Sequence, residues 1–385
     1  MNNIGIEKML NVKKARELFP YLKCGKIYFN HASIAPVCTP VIESIHNVLF
    51  EKSAANIDDY VELQVIINET KSDLASLINT SPDRIAFVDN TTNGINILAA
   101  GLKLKQGDHI LLNDLEFPAN VYPFLNLQKK GIVIDFVKSH DGIVSAEDVI
   151  ERIAPETKLI SISQVQFLTG YRVNLEKIGK VCRQKEIIFS VDAIQGLGAV
   201  QLDVIKDNID FVSAGSQKWL LGLQGLGFIY LSEGLQEKID QNCLGWLSVE
   251  DAWNFLHYEL KLKKSADRYQ GGTLNSIGIY ALNASLKLLK QHGFSDIENC
   301  IIDNSSYFME KLAETRFSPV IQGADKNNIA GIVSFKESEW KKIFDSLSGE
   351  NIYCSVRLGY VRMSPHFYNT KEEIDKVIDV LKKID

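Results

Sequence analysis

Cysteine is sparse in this chain, and no two cysteines form a CxxC pair. The six residues are Cys24, Cys38, Cys182, Cys243, Cys300 and Cys354. Without paired spacing, neither a zinc ribbon nor a secreted disulfide scaffold is expected. Scattered reduced thiols are typical of the cytosol, so we predict a cytoplasmic protein with no metal site.

Long apolar runs and basic blocks are also missing. No apolar stretch reaches the ~20 residues that a membrane span requires, and Met1 to Phe19 contains no apolar segment of signal-peptide length. The formal net charge is -6, and the sequence contains no Lys/Arg-rich block. We therefore expect a soluble protein that binds neither a membrane nor nucleic acid.

What is present is an alternation of strand and helix patterns over the first two thirds of the chain. The 385 residues, 45% of them hydrophobic, suffice for a large core and a second domain. The alternation predicts an α/β domain, residues 28–258, with a mostly parallel sheet covered on both faces. Residues 1–27 and 259–385 lack this rhythm and are predicted to form a smaller α+β domain.

The stretch from Ser190 to Tyr230 contains the most informative residues. A predicted strand from Glu186 to Val191 ends at Asp192, and a second, Phe211 to Ala214, is followed closely by Lys218. Ligands of open α/β sheets bind at the carboxyl ends of strands, so this acid and this amine can meet over one ligand. An amine beside an acid suggests a cofactor with a carbonyl group, although a lysine can also extend along a surface.

A second strand end, in RIAFVDNTTNGINILAAGL, has the design of a phosphate cup. Thr91 and Thr92 open a predicted helix, whose free N–H groups and dipole attract an anion. The alternative is that Thr92 or Asn93 simply caps this helix.

Three further loops at strand ends carry candidate ligands. Phe117 can stack on a flat ring or belong to the local core, and Gln166 can bind a polar ligand or hold its own loop. Asn30 follows a short predicted strand and either lines the site or belongs to a plain turn.

These residues and motifs occur together in a recognisable order: EFPAN, VDAIQ, SAGSQKWL, the Gly271-Gly272-Thr273 turn and VRMSPHFYNT. From about residue 28 to the C-terminus the chain resembles the class V aminotransferase family of fold type I pyridoxal 5'-phosphate (PLP) enzymes. This family includes cysteine desulfurases, selenocysteine lyase and isopenicillin N epimerase. The resemblance implies a mostly parallel, seven-stranded sheet with a smaller C-terminal domain.

The resemblance also implies how PLP is held. Lys218 would bind it as a Schiff base and then move protons at the substrate α-carbon, while Asp192 would pair with the pyridine nitrogen. Gln195 resembles the residue near the phenolic oxygen, and Phe117 takes the ring-stacking place. The phosphate would lie on Thr91 and Thr92.

The remaining implied contacts involve the phosphate, the partner subunit and the substrate. Ser216 would add to the phosphate site, and Gly272 with Thr273 resembles the segment that arrives from a neighbouring subunit, which implies a homodimer. Arg362 resembles the arginine that grips the substrate α-carboxylate with a bidentate fork, although a structural ion pair is the alternative. Asn30 and Gln166 complete the predicted substrate-binding set. Tyr122 is outside this set and is a possible proton donor.

Three departures from the family pattern narrow the reaction. Gln217 stands where several members have His, and Phe117 replaces a second His that can relay protons. No cysteine lies on the SVRLGYVRMSP run before Arg362, where desulfurases carry their nucleophile. Cys354 lies upstream in a predicted strand, where a buried structural role is expected.

The complete PLP motif without a thiol loop predicts a C–S lyase that acts by β-elimination on a cysteine-derived amino acid. The alternative is an aminotransferase or an amino-acid epimerase, with cysteine desulfurase less favoured. A regulatory protein without turnover would be expected to lack Lys218 or Asp192. A nicotinamide-dependent dehydrogenase is disfavoured because GLQGLG does not match the dinucleotide spacing and precedes a strand.

Overall fold

The computed structural model describes residues 12–58 and 60–384. The first eleven residues, which belong to the predicted small-domain segment 1–27 and to the segment searched for a signal peptide, lie outside this range. The strands are β1 (Ile27–Tyr28), β2 (Ile85–Val88), β3 (His109–Asn113), β4 (Val133–Val137), β5 (Thr157–Ser163), β6 (Ile188–Asp192), β7 (Phe211–Gly215), β8 (Gly227–Leu231), β9 (Val333–Lys336), β10 (Ile352–Tyr353), β11 (Ser355–Arg357) and β12 (Tyr360–Met363).

Twelve α-helices are assigned within the described residues. They are α1 (Val12–Arg16), α2 (Thr39–Ala54), α3 (Tyr60–Leu77), α4 (Thr91–Gly101), α5 (Tyr122–Leu125), α6 (Ala146–Glu151), α7 (Leu175–Gln184), α8 (Glu233–Lys238), α9 (Ser276–His292), α10 (Phe294–Ala313), α11 (Trp340–Gly349) and α12 (Lys371–Lys382).

The central sheet has seven strands in the order β2-β8-β7-β6-β5-β3-β4. All neighbouring pairs are parallel except those of β8, which runs antiparallel to β2 and to β7. The predicted fold, an α/β protein with a mostly parallel seven-stranded sheet, is therefore confirmed. The β5, β6 and β7 strands run side by side, so their carboxyl ends lie at one edge of the sheet.

The sheet is buried on both faces, as a sheet with helical crossovers must be. Leu159 and Phe211 pack into one apolar cluster, and their neighbours Ile160 and Val212 pack into another. Helix α4 lies directly over β7, and a Cβ at Gly94 would come 2.2 Å from the Ser213 hydroxyl oxygen. Glycine is required at this crossing, which fixes the start of α4 next to the ends of the central strands.

A second, smaller sheet lies in the C-terminal part of the chain. It has the order β11-β12-β9 and is antiparallel throughout, while β10 pairs separately with β1. One face of the sheet, with Val333, Phe335, Val361 and Met363, belongs to a core shared with α10, α11 and α12. Helix α9 instead belongs to the core of the central sheet. The predicted domain boundaries remain a prediction.

Several element boundaries differ from what the sequence pattern suggests. A single helix is expected from Ala119 to Lys130, but the chain forms 3-10 turns on either side of the four-residue α5, where Pro123 supplies no N–H. A helix is expected at 305–314, but α10 begins at Phe294 because its polar first turns still place Ile297 and Ile301 in the core.

Two absences concern only the described residues. In residues 12–58 and 60–384, no helix is long and apolar enough to cross a membrane. Within the same ranges no three His, Cys, Asp or Glu side chains are grouped so that they could hold a metal ion.

Candidate active site

Asp192 and Lys218 lie at the carboxyl ends of adjacent strands, as predicted. Asp192 is the last residue of β6, is buried, and accepts a 3.0 Å hydrogen bond from the Ile194 N–H. Burial raises the pKa of its carboxyl to about 7, and the nearby Glu116 charge adds to the rise. Burial lowers the pKa of the Lys218 amine to about 8, against the attraction of Asp192. Burial therefore favours the neutral form of both groups, and their mutual attraction opposes it.

Phe117 lies beside the Lys218 amine. The amine nitrogen is 5.9 Å from the centre of the Phe117 ring, and this ring makes an edge contact with Phe167 at 5.2 Å. Phe117 is 46% exposed, so it does not serve as local core. An open aromatic face next to the amine is what ring stacking requires.

Arg362 is buried on β12 and is held by three neutral acceptors. Its Nε donates to the Ser355 hydroxyl at 3.1 Å, one terminal nitrogen donates to the Phe167 carbonyl at 2.6 Å, and the other to the Ser33 hydroxyl at 2.8 Å. No carboxylate pairs with it among the described residues, so the alternative of a structural ion pair is not supported. Burial and the Arg357 charge lower the pKa of Arg362 to about 10. One N–H remains on each terminal nitrogen, which is the number that a bidentate carboxylate uses.

Glu116 is the main site residue that the sequence did not reveal. Its buried carboxylate accepts hydrogen bonds from the side chains of Asn113 and Asn120 at 2.6 and 3.0 Å and from the Ser163 N–H at 2.8 Å. Gln166 also donates to it at 3.3 Å. Glu116 therefore ties the loop after β3 to the loop after β5. The only sequence signal was an acid directly before the stacking residue in EFPAN.

The start of α4 carries the residues of the predicted phosphate cup, whose binding role stays a prediction. Asn90, and neither Thr92 nor Asn93, caps the helix by accepting from the Asn93 N–H at 2.9 Å, so that alternative is wrong. The buried Thr91 hydroxyl has no hydrogen-bond partner in the described part of the chain, and Thr92 is exposed. An unpaired hydroxyl at a helix N-terminus fits a phosphate oxygen.

Gln195 and Ser216 are placed near the site but have internal partners. The Gln195 amide donates to the Ala32 carbonyl at 2.9 Å and accepts from the Trp219 indole at 3.1 Å. The Ser216 hydroxyl lies within bonding distance of the Leu223 and Leu226 carbonyls. Ser216 thus supports the loop after Lys218 in this conformation, and its phosphate role stays a prediction.

The other predicted residues are positioned as follows. The Asn30 and Gln166 amide oxygens are buried and lack a partner within residues 12–58 and 60–384, which leaves them free for a ligand donor. Gly272 and Thr273 line a cavity of ≈ 530 Å³ together with Asp89 and Asn93, beside the start of α4 of the same chain. Their reach into a neighbouring subunit stays a prediction.

Cys354 lies away from these groups. It belongs to the core that is shared by Val361 and Met363, on the face of the small sheet opposite Arg362. Burial raises the pKa of its thiol to about 12. A thiol that stays protonated and covered is a poor nucleophile.

An open α/β sheet with a buried amine and a buried acid at adjacent strand ends is the arrangement of a PLP enzyme of fold type I. The family model "Aminotransferase class-V" matches residues 27–377. The chain belongs to the class V aminotransferase family, whose members are PLP-dependent enzymes, and PLP is its cofactor.

Curated relatives carry different activity names. The "Uncharacterized aminotransferase YcbU" of Bacillus subtilis is 26% identical, with 94% of this chain and 95% of that protein aligned. A "Probable cysteine desulfurase" of Borreliella burgdorferi is 29% identical over 93% of this chain and 91% of its own. The names alone do not select one reaction.

Solved structures share the fold. The apo cysteine desulfurase of Thermococcus onnurineus superposes with a TM-score of 0.87 at 23% identity, covering 99% of both chains. The cystine C-S lyase C-DES, solved with its reaction product cysteine persulfide, gives a TM-score of 0.85 at 24% identity, covering 94% of this chain and 99% of that one.

The residues of this chain fit the cofactor. Lys218 has no ion pair within 4 Å in the described part of the chain, although its amine and the Asp192 carboxyl influence each other electrostatically. The buried, unpaired Thr91 hydroxyl at the start of α4 is able to donate to a phosphate oxygen. PLP, a flat pyridine with an aldehyde and a phosphate, would provide partners for these groups.

Proposed function

We propose that the protein is a PLP-dependent C–S lyase that cleaves a cysteine-derived amino acid by β-elimination. The observation that carries the proposal is the strand pairing in the small sheet. Within residues 12–58 and 60–384, Arg362 and Cys354 lie on opposite faces of the small sheet, which supports a substrate clamp with no thiol on the face that carries it. A desulfurase needs such a thiol to take the sulfur atom, whereas a β-eliminating lyase does not.

Each residue has a task in this reaction. Arg362 holds the α-carboxylate with its two free N–H groups, and Asn30 and Gln166 offer acceptors for the substrate. Asp192 pairs with the ring nitrogen, and Thr91 with Thr92 holds the phosphate. PLP, when bound, supplies the electron sink that makes the α-proton acidic.

Lys218 takes the α-proton. Its lowered pKa, about 8, leaves part of the amine neutral and able to act as a base near pH 7.5. The α C–H bond breaks as the proton moves to the amine, and the Cβ–S bond breaks with its electron pair on sulfur. Hydrolysis then yields pyruvate and ammonia. A weakly basic sulfur leaving group needs no proton donor, which agrees with Phe117 in place of a His.

The test is product analysis of the holoenzyme with a panel of cysteine S-conjugates. We expect stoichiometric pyruvate, ammonia and thiol, all lost in Lys218→Ala and all retained in Cys354→Ala. Transfer of the amino group to a keto acid, with no pyruvate from any conjugate, would instead identify an aminotransferase. Racemised substrate without elimination would identify an epimerase.

We further propose that the protein is a homodimer. The support is an exposed apolar segment between α8 and α9 that includes Trp253, Phe255, Leu256, Tyr258 and Leu260. Trp253 contacts Tyr60 edge-on and Phe255 at a tilt, so the segment packs against α3 and is still open to water. Such a patch is typical of an interface. Sedimentation of the wild-type protein at micromolar concentration should give twice the chain mass of 43.2 kDa. The Leu256→Asp variant should give the mass of a single chain.

A cytoplasmic location is the last proposal. All six cysteines are free, as expected in a reducing compartment. Fractionation of the source cells, with an antibody to the protein, tests it.

A further inference from the structure

The small sheet presents a row of cations on the face that carries Arg362. Ser355 pairs with Arg362, Arg357 pairs with Tyr360, and Tyr360 pairs with Lys336. Side chains alternate along strands, so these five residues share one face. The hydrogen bond from Arg362 to the Ser355 hydroxyl confirms that these two side chains share a face. Arg357 lies two positions after Ser355 on β11 and is therefore on this face too.

Arg357 is not neutralised by an acid. Its guanidinium donates to the Val356 carbonyl at 2.8 Å, is exposed, and forms no ion pair within 4 Å inside the described ranges. Its charge still reaches the site, because it lowers the pKa of both Lys218 and Arg362. Lys336 lies as many positions from Arg362 as Arg357 does, on the other side of β12, but its amine lies over the Tyr360 ring at 5.4 Å.

We propose that Arg357 is a second anion-binding residue of the substrate pocket and that the natural substrate is an amino acid whose side chain ends in a second acidic group. The proposal rests on the proposed function in one respect, that Arg362 holds the α-carboxylate. Two positions along a strand and one across correspond to roughly 7 Å. A carboxylate, sulfinate or sulfonate on the sulfur substituent of a cysteine conjugate extends over this distance, while its α-carboxylate stays on Arg362.

Arg357, rather than Lys336, is the cation of this face whose charge acts on both Lys218 and Arg362, so it accounts for a preference for an acidic side chain. Arg362 has two free N–H groups, and one α-carboxylate uses both. Lys218 is required for the cofactor. A guanidinium that is already beside the pocket and free of an acid has the bidentate geometry that a second carboxylate needs.

The experiment compares two ligands of the same shape and different charge. S-Carboxymethyl-L-cysteine and its amide, S-carbamoylmethyl-L-cysteine, are titrated into the holoenzyme, and dissociation constants are read from the change in cofactor absorbance and by calorimetry. We expect the acid to bind about tenfold more tightly than the amide, the value of a single charge-assisted contact. Arg357→Gln should remove this difference by weakening the acid alone.

Lys336→Gln is the matched control, since it removes one positive charge from the same face and should leave the acid-to-amide ratio unchanged. Equal weakening of both ligands in Arg357→Gln would overturn the proposal, because Arg357 would then serve the shared α-carboxylate. Equal affinity of the wild-type protein for both ligands would also overturn it. Pyruvate formation is scored separately, on the panel of conjugates that tests the proposed function. Acid-selective binding with no pyruvate from any conjugate refutes the lyase and retains this inference, whereas pyruvate without acid-selective binding retains the lyase and refutes this inference.

Discussion

Lys218 is expected to react with acylating reagents at a pH where an ordinary lysine is still protonated. Burial lowers the pKa of its amine from 10.5 to about 8. At pH 8 about half of the Lys218 amine is then neutral, compared with roughly 0.3% for an amine with a pKa of 10.5. The reactive fraction is therefore about 150 times larger, and the reactivity of Lys218 should rise through a midpoint near pH 8.

Asp192→Asn tests the cause of this value. The Asp192 charge stabilises the protonated amine, so its removal should move the Lys218 midpoint to lower pH. The two groups form no ion pair within 4 Å in the described part of the chain. At that limit and an effective dielectric constant of about 20, Coulomb's law gives about 4 kcal/mol, or about 3 pKa units, so the downward shift should be smaller than this. Arg362→Gln removes a like charge and should move the midpoint upward.

The assay is trace acetylation of the apoprotein between pH 6 and 11, with N-acetyl-lysine as the internal reference and peptide mass spectrometry as the readout. A wild-type midpoint near 10.5 would show that the amine is hydrated and would refute the base role at neutral pH. An upward shift in Asp192→Asn would refute the electrostatic coupling across the site. Circular dichroism of each variant guards against unfolding as the explanation.

Three further predictions concern other residues. Glu116→Gln should lower the free energy of unfolding in urea by about 2 kcal/mol, since an amide cannot accept from all its donors; an unchanged midpoint would contradict the tie between the two loops. Leu358 is 81% exposed and has φ +51°, in a turn that favours Asn. Leu358→Asn should therefore raise the free energy of unfolding by about 0.5–1 kcal/mol, and a lower free energy of unfolding would contradict this reading of the turn. Cys354→Ala should leave the rate of pyruvate release unchanged within twofold. If this variant released no pyruvate, persulfide chemistry on Cys354 would again be a hypothesis.

The sequence was enough to predict the residues that follow buried strands. Asp192 and Lys218 come after apolar runs, and the carboxyl ends of such strands meet at one edge of a parallel sheet. The order of elements and the parallel sheet were predictable for the same reason. Where local pattern was weak, as in the broken helix around Pro123, the prediction failed.

Contacts between distant segments were not predictable. Ser33 accepts from Arg362 across 329 positions of the chain, and Glu116 reaches Ser163 across 47. Neither Ser33 nor Glu116 has a periodicity or a motif that identifies its partner, because only the tertiary fold brings each residue next to its partner. The stacking role of Phe117 and the clamp role of Arg362 came from resemblance, and both stay predictions.

The two-residue turn at Leu358 and Gly359 is a position where the chain next to the site can accept insertions during evolution. Both residues have positive φ, and the turn joins β11 to β12 away from the core. The position of Arg362 is fixed independently by the pairing of β12 with β9. An insertion at the turn would cost little loop-closure entropy and leave the arginine in place. A lineage could gain or lose a thiol-bearing loop there, and exchange one sulfur chemistry for another, without rebuilding the scaffold.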